Sequence, residues 1–303
     1  MGDTLFGSEY DGYQFSRNVF AYEVDSGRLK WRYANGVIRN ATLAVHDGAV
    51  YFVEHRGQKT APRVLRPLEK IAAQAAERRG QTVADENPAD QTHAPVKPAG
   101  PYLRTIVALD GETGRERWSR EVDLTDCGTW TGSLSLMAGN GAVVICGTYT
   151  AYGKRTGEEP KRRALVLNAK DGTILWNRPI GNLVRPLIIG DWLVSRPSAF
   201  LLKTGDPVMV PSGSRQKPWS IMPLGACGQM SASMYNLFYR YGVTVAMSVE
   251  TGGSLMSFLG MRPGCLINII PAAGLAVQVE ASSGCTCYHA LQSTVVFIPS
   301  DLR

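Results

Sequence analysis

Short apolar runs alternate with Gly-containing turns along most of the chain. The runs are rich in Val, Ile, Leu and aromatic residues and are too short for helices, which is typical of β-strands. Turns such as Asp25–Gly27, His46–Gly48 and Asn140–Gly141 separate consecutive runs and favour hairpins. The pattern predicts an all-β protein with antiparallel strands.

One unit recurs along the chain: a short apolar strand, an Asp or Asn, a turn with Gly, three residues and a Trp. The Gly–Trp pairs are Gly27 with Trp31, Gly114 with Trp118, and Gly172 with Trp176. Self-similarity at this scale indicates a repeat architecture. Repeats of short antiparallel strands predict a β-propeller with four-stranded blades. Because repeated residues serve the repeat, we expect the three Trp side chains to pack on the neighbouring blade.

Two later copies keep the strand and the Thr-Gly turn, at Gly205 and Gly252, but are interpreted as having lost the Trp. We therefore expect five recognisable units, counted by their turn glycines. This is fewer than the blades usual for such propellers. Either further blades are not recognisable in the sequence, or another chain completes the propeller, or its closure is incomplete.

Residues 62–101 interrupt the repeat. Leu68–Arg79 carries apolar residues at helical spacing, and the polar, Pro-rich stretch Gln81–Pro101 has little to bury. We expect residues 1–303 to form one propeller, with this short helix and flexible loop inserted between blades. A helix that docks a partner is the alternative interpretation of the insertion.

The charge and the N-terminus narrow the function classes only slightly. The chain has 32 Lys and Arg against 26 Asp and Glu, a net charge of +6, and the cations are scattered. We therefore expect anionic partners but no nucleic acid. No apolar run is long enough to predict a transmembrane segment. The first ten residues lack the regions of a signal peptide.

Candidate binding residues occur where inner strands are expected to begin. Arg39 and Arg185 follow a repeat Trp by eight and nine residues, and Arg262 precedes a third apolar run. Converging at one mouth of the channel, these guanidinium groups would bind a carboxylate, sulfate or phosphate. Asn40 and Asn268 are included in this predicted site. The alternative is that the arginines pair with acidic residues of adjacent blades.

Four of the six cysteines lie near the C-terminus, at Cys227, Cys265, Cys285 and Cys287. We expect structural disulfides there, which would imply an oxidising compartment. Buried thiols and a thiolate metal site are the alternatives, although Cys-X-Cys is not the usual zinc spacing. Cys127 and Cys146 stand apart and are expected to be ordinary buried thiols.

The unit of strand, Asp, Thr-Gly, three residues and Trp resembles the tryptophan-docking repeat of the pyrroloquinoline-quinone-like (PQQ-like) propellers. That group includes quinoprotein alcohol dehydrogenases and the outer-membrane assembly lipoprotein of the β-barrel insertion machinery. Several C-terminal segments look like planctomycete-type members: Gly225–Gly228, Ser231–Ser233, Leu237–Arg240, Arg262–Cys265, Ile267–Gly274 and Glu280–Cys287. The resemblance implies the propeller fold and favours the periplasm or the cell envelope.

Two functions follow from these observations. The first is a binding or scaffolding propeller that recognises, at its channel mouth, a partner protein or an anionic small molecule or polysaccharide. The alternative is a dehydrogenase of an alcohol or sugar that uses PQQ and calcium, with the arginines on the quinone's carboxylates. Its candidate calcium ligands, Asp191, Asn268 and Glu280, form no recognisable spacing. The sequence predicts no catalytic residue.

Overall fold

The computed structural model describes residues 4–10, 15–56, 101–127, 134–147, 162–182, 184–221, 229–241, 243–252, 254–258, 263–264, 269–279 and 293–298. The chain divides into two compact units. Unit 1 comprises Met1–Thr125 and Trp130–Leu136, and unit 2 comprises Asp126–Thr129 and Met137–Arg303. Every strand pairing in the described ranges is antiparallel, and they contain no α-helix. The predicted all-β class is confirmed.

Unit 1 holds a blade and the three neighbouring strands of another. Its strands are β1 (Thr4–Tyr10), β2 (Phe15–Glu23), β3 (Leu29–Tyr33), β4 (Gly36–Arg39), β5 (Ala44–His46), β6 (Ala49–Arg56), β7 (Leu103–Asp110) and β8 (Glu116–Asp123). Strands β1–β3 form one antiparallel group. A blade with four strand positions follows. Strands β4 and β5 together form its interrupted inner strand, and β6, β7 and β8 are the other three. Because β4 pairs with both β2 and β6, the two groups form one sheet.

Unit 2 continues the series with separate sheets, the first of which includes β9 from the boundary between the units. The strands are β9 (Leu134–Gly139), β10 (Ala142–Gly147), β11 (Arg163–Asn168), β12 (Ile174–Pro179), β13 (Leu187–Ile189), β14 (Trp192–Val194), β15 (Ala199–Leu201), β16 (Met209–Ser212), β17 (Arg215–Pro218), β18 (Ser231–Ala232), β19 (Asn236–Tyr241), β20 (Val243–Ser248), β21 (Ser254–Phe258), β22 (Ile269–Ala272), β23 (Leu275–Gln278) and β24 (Val295–Phe297). The sheets are β9–β12, β13–β15, β16–β17, β18–β21 and β22–β24, each paired in chain order.

The third and fourth strands of successive blades are joined by one recurring turn. Its glycine has a φ between 64° and 72° at all five repeat positions. In each turn the glycine N–H donates to the carbonyl oxygen four residues earlier, as Gly27 does to Glu23 at 2.9 Å. A positive φ is strained for residues with a Cβ, which explains the recurring Gly.

The middle strands of the blades are buried on both faces. In β6, residues Ala49–Glu54 are all buried, and in β10 the whole strand is. A strand covered on both sides has no polar face, so it appears as a continuous apolar run rather than an alternating one. The core of unit 1 accordingly joins Val19 and Trp31 of one strand group to Phe52 and Val107 of the next.

One carboxylate is buried among the described residues of unit 1. Glu54 is fully buried, and its Oε1 accepts hydrogen bonds from Tyr33 Oη at 2.9 Å and Arg56 Nε at 2.5 Å. Arg56 also pairs with Glu116 at 2.5 Å. Burial raises the pKa of Glu54 against the opposing effect of these hydrogen bonds. Burial and the nearby Glu54 raise the pKa of Tyr33 to about 12.

Glu54→Gln is expected to change how stability depends on pH. Because folding raises the carboxyl pKa, the native state holds the proton more tightly than the unfolded chain, and stability falls as the pH rises above the ordinary value of 4.5. One such group gives a slope of at most about 1.4 kcal/mol per pH unit. Urea unfolding from pH 4 upward should show this decline in the wild type and less of it in the variant. If the free energy of unfolding depended on pH in the same way in the wild type and the variant, Glu54 would not be the group whose pKa folding raises.

Candidate functional site

Three buried tryptophans make the same contact with the turn of the next repeat, which we call the docking contact. Each indole Nε1 donates to the carbonyl oxygen three residues before the turn glycine. The pairs are Trp31 to Gly111 at 3.0 Å, Trp176 to Leu202 at 2.9 Å, and Trp219 to Val249 at 2.7 Å. Trp118 is half-buried, and its ring centroid lies 6.0 Å from that of Tyr51.

The turn glycine of the next repeat lies against each docked indole. A Cβ on that glycine would be 2.6 Å from the ring of Trp31 at Gly114, 2.7 Å from Trp176 at Gly205, and 3.3 Å from Trp219 at Gly252. Real Cβ atoms do not approach to the first two distances. The repeat therefore needs Gly at this position for space as well as for its positive φ.

The interpretation that the repeat at Gly205 has lost its Trp is wrong. Trp219 takes the place of the missing residue, although it follows Gly205 by fourteen positions rather than four. Ten extra residues between them form the hairpin β16–β17. A search at fixed spacing misses Trp219, because the insertion lies between the turn and the Trp. In the copy at Gly252 the Trp position is occupied by Met256, which is exposed.

Arg39 is held at the end of β4 by its backbone and by an aromatic ring. Thr42 of the short 3-10 helix Asn40–Thr42 donates to Arg39 O at 2.7 Å and accepts from Val53 N–H at 3.0 Å. The guanidinium of Arg39 lies over Phe15, with 4.8 Å between Cζ and the ring centroid. Arg39 is therefore positioned at the break of the inner strand, between β4 and β5.

A second arginine shares a tyrosine with Arg39. Arg39 Nη2 donates to Tyr102 Oη at 2.9 Å, and Arg104 Cζ lies 3.8 Å from the centroid of the same ring. All three side chains are half-buried. We call Arg39, Tyr102 and Arg104 the arginine–tyrosine cluster. It brings two cations together beside the break of the inner strand.

The electrostatics of this cluster favour an added negative charge. Burial, and then the charge of Arg39, lower the pKa of Arg104. The nearby carboxylate of Asp123 accepts other donors: its Oδ1 accepts from the hydroxyl of Thr125 at 2.6 Å and from the backbone N–H groups of Thr125 at 2.9 Å and Tyr102 at 3.0 Å. Those hydrogen bonds hold the pKa of Asp123 below its usual range. An anion that contacts both guanidinium groups would offset the repulsion between these two half-buried positive charges.

Sequence reasoning found Arg39 but missed Tyr102 and Arg104. A signal for Arg104 was present, because Arg17, Arg104 and Arg162 each precede a turn glycine by ten residues. This is the start of the third strand of a blade. The three arginines differ in burial and in their contacts. Arg17 is exposed, whereas Arg162 is buried and donates to Asn182 O at 3.0 Å.

The remaining predicted binding residues are not brought into this cluster by the described geometry. Arg185 lies in unit 2, two residues before β13, is exposed, and donates its backbone N–H to Gln229 Oε1 at 2.8 Å. Arg262 and Asn268 lie outside the described residues, as does the side chain of Asn40. Their convergence at one mouth stays a prediction.

The described residues do not fit a quinone–calcium site. Asp191 lies in the turn after β13, whereas Arg185 lies before that strand, so the two are at opposite ends of it. Asp191 is exposed, and its Oδ1 accepts from Asn140 Nδ2 at 2.7 Å. No group of three or more His, Cys, Asp or Glu that could hold a metal occurs in the described part of the chain. Asn268 and Glu280 lie outside it.

Two of the six cysteines lie within the described residues and four lie outside them. Cys127 and Cys146 are buried and take part in no disulfide. The four C-terminal cysteines, for which we expect disulfides, lie outside the described residues: Cys227, Cys265, Cys285 and Cys287. Within the described ranges, no helix has the length and apolar character needed to cross a membrane.

Several solved structures are similar to this chain at low identity. BamB from Moraxella catarrhalis is 13% identical with a TM-score of 0.47, over 97% of this chain and 69% of that one. Dihydro-heme d1 dehydrogenase NirN is 12% identical with a TM-score of 0.48, over 99% and 55%. A europium-containing methanol dehydrogenase is 12% identical with a TM-score of 0.41, over 85% and 49%. This chain spans about half the length of the two dehydrogenases. No curated protein matches it.

Antiparallel blades, a shared glycine turn and the docking contact together define a β-propeller built from PQQ-like repeats. A family model agrees: the one described as outer membrane protein assembly factor BamB matches residues 11–208, about two thirds of the sequence. The chain belongs to this BamB family of PQQ-repeat propellers.

Proposed function

We propose that this chain is a binding propeller whose arginine–tyrosine cluster receives an anionic group of a ligand or partner protein. The observation that supports it is the placement of two half-buried guanidinium groups against one tyrosine. Arg104 has no ion pair with any described carboxylate. Its Nη1 donates to the carbonyl oxygen of Leu103 at 2.5 Å, and the remaining N–H groups of its planar fork can bind a carboxylate.

Arg185 and Arg262 belong to the same proposal. Both stand before inner strands of later blades in the sequence, as Arg39 does, and would extend an anion-binding mouth. The disulfides expected among the C-terminal cysteines, the planctomycete-type assignment and a location in the cell envelope are likewise proposals. Membership of the BamB family supports a protein partner, because that family's description names an assembly factor.

A second chain that completes the propeller is also proposed. Strand β1 pairs with β2 and with no other strand in the described part of the chain, where its second edge has no partner strand. An open edge of seven residues without Lys or Pro is a template for another strand. We propose that a strand of the second chain pairs with this edge of β1 and takes the place of the inner strand.

Arg104→Ala is expected to weaken binding of a small polycarboxylate by about 10- to 100-fold, the range for hydrogen bonds to charged groups. Citrate, titrated by calorimetry at low salt, is a suitable probe. Arg39→Ala should have a similar effect. Arg104→Lys keeps the charge but loses the fork and should recover only part of the affinity.

Arg28→Ala is the matched control, since Arg28 is an exposed arginine of the same unit, paired with Glu23 at 3.5 Å. It should bind citrate as the wild type does. Equal citrate affinity of the Arg104→Ala and Arg28→Ala variants, both folded by circular dichroism, would remove the cluster from the binding site.

A further inference from the structure

The hairpin β16–β17 is an insertion with defined ends. In the repeats at Gly27, Gly114 and Gly172, three residues separate the turn glycine from the Trp. Removal of residues 209–218 would place Val208 directly before Trp219 and restore that spacing after Gly205. The two ends already meet in space, because Trp219 N–H donates to Val208 O at 2.7 Å.

Strand pairing supports the same boundaries. In the blade of Trp176, a register shift of one residue falls between Val166 and Leu167, just before the turn. With the ten residues removed, the bridges of Phe200 with Pro207 and Ser198 with Ser220 would show the same shift. These two isolated bridges mark the position of a fourth strand beside β15, and the hairpin leaves that position between Val208 and Trp219.

The hairpin is built as a stable ribbon rather than a loose loop. Four residue pairs join its strands, from Met209 with Pro218 to Ser212 with Arg215, across a two-residue turn in which Gly213 has a φ of 61°. Val210 is buried in the core of unit 2 and anchors the base. Every other residue of β16 and β17 is exposed.

The exposed part of the ribbon is cationic. Arg215 and Lys217 project from the same face, because side chains alternate along a strand. In the described residues neither has an ion pair, and the ribbon contains no Asp or Glu. The acid nearest in sequence, Asp206, pairs with Arg178 at 3.6 Å. Two cations at alternate positions are roughly 7 Å apart along the strand.

We propose that the β16–β17 ribbon is a docking arm for an extended acidic segment of a partner protein. In an extended chain, Asp or Glu at alternate positions repeats at the same spacing of roughly 7 Å, so its carboxylates can meet Arg215 and Lys217 together. The docking contact of Trp219 does not involve the arm, and Val210 is the one residue of the arm that is buried in the core of unit 2. The residues of this arm belong to unit 2, whereas those of the arginine–tyrosine cluster belong to unit 1.

The test uses the full chain with residues 209–218 deleted and a fluorescent ten-residue peptide of alternating Glu and Thr. The deletion variant should stay folded by circular dichroism, with a lower thermal unfolding midpoint because buried Val210 is removed, and should lose the ribbon's share of peptide binding measured by anisotropy at low salt. Arg215→Ser with Lys217→Ser keeps the ribbon and should weaken binding at least about fivefold. A Gln–Thr peptide should not bind the wild type.

The Arg104→Ala variant and vesicles of anionic lipid serve as controls for the peptide experiment. The Arg104→Ala variant measures any binding of the peptide to the arginine–tyrosine cluster. Binding that this variant keeps and the deletion variant loses belongs to the ribbon, so failure of the anion-binding cluster and failure of the arm are distinguishable. Unchanged peptide affinity in the double Ser variant would overturn the proposal, whether or not the deletion variant folds. So would ribbon-dependent binding to vesicles of anionic lipid without ribbon-dependent binding to the peptide.

Discussion

Trp219→Ala is expected to lower the free energy of unfolding by about 3–5 kcal/mol, the range for removal of a large buried aromatic side chain. Trp219 is 1% exposed and packs 6.3 Å from Trp192, measured between ring centroids. The truncation also leaves Val249 O without its indole donor, which adds a desolvation cost. Urea unfolding followed by far-ultraviolet circular dichroism measures the change.

Met256→Ala is the matched control, because Met256 occupies the Trp position of the next repeat and is 53% exposed. It should change stability by no more than about 0.5 kcal/mol. If Trp219→Ala and Met256→Ala lowered the free energy of unfolding by similar amounts, the docking contact of Trp219 would contribute little to stability.

Gly114→Ala is expected to cost about 2–5 kcal/mol. The φ of 69° costs Ala about 1–2 kcal/mol, and the new Cβ must displace the ring of Trp31, which adds an overpacking cost of about 1–3 kcal/mol. The displaced ring also weakens the hydrogen bond from Trp31 to Gly111. The same urea experiment measures the loss.

Gly27→Ala separates the two causes. Gly27 has nearly the same φ, 66°, but no atom lies within 4 Å of its would-be Cβ. Its variant should lose only the conformational part, about 1–2 kcal/mol. If the Gly27 and Gly114 variants lost equal stability, close packing on the indole would not be the reason for Gly in the repeat.

The strand pattern could be predicted from the sequence because its signals are local. A turn glycine is set by its own φ, and a doubly covered strand shows its burial as a continuous apolar run such as Ala49–Val53. Arg39 could be placed beside an inner strand by counting from Trp31, and the structure puts it between β4 and β5. Each of these inferences needed only residues close to one another in the chain.

Contacts between distant segments could not be predicted in this way. Tyr102 meets Arg39 across 63 residues, and the segment between them includes the insertion. Trp219 was misread because ten inserted residues separated it from the turn that identifies its repeat. In both cases the sequence distance no longer reports the distance in space.

The sequence by itself determined the all-β class, the recurring glycine turn and the β-propeller repeat, because backbone conformation and burial period depend on neighbouring residues. Only the tertiary structure decided that Trp219 completes a docking contact, that two arginines share Tyr102, and that residues 209–218 leave the blade as a ribbon. These are matters of which segments meet across strands and blades, and packing selects those partners without regard to their spacing along the chain.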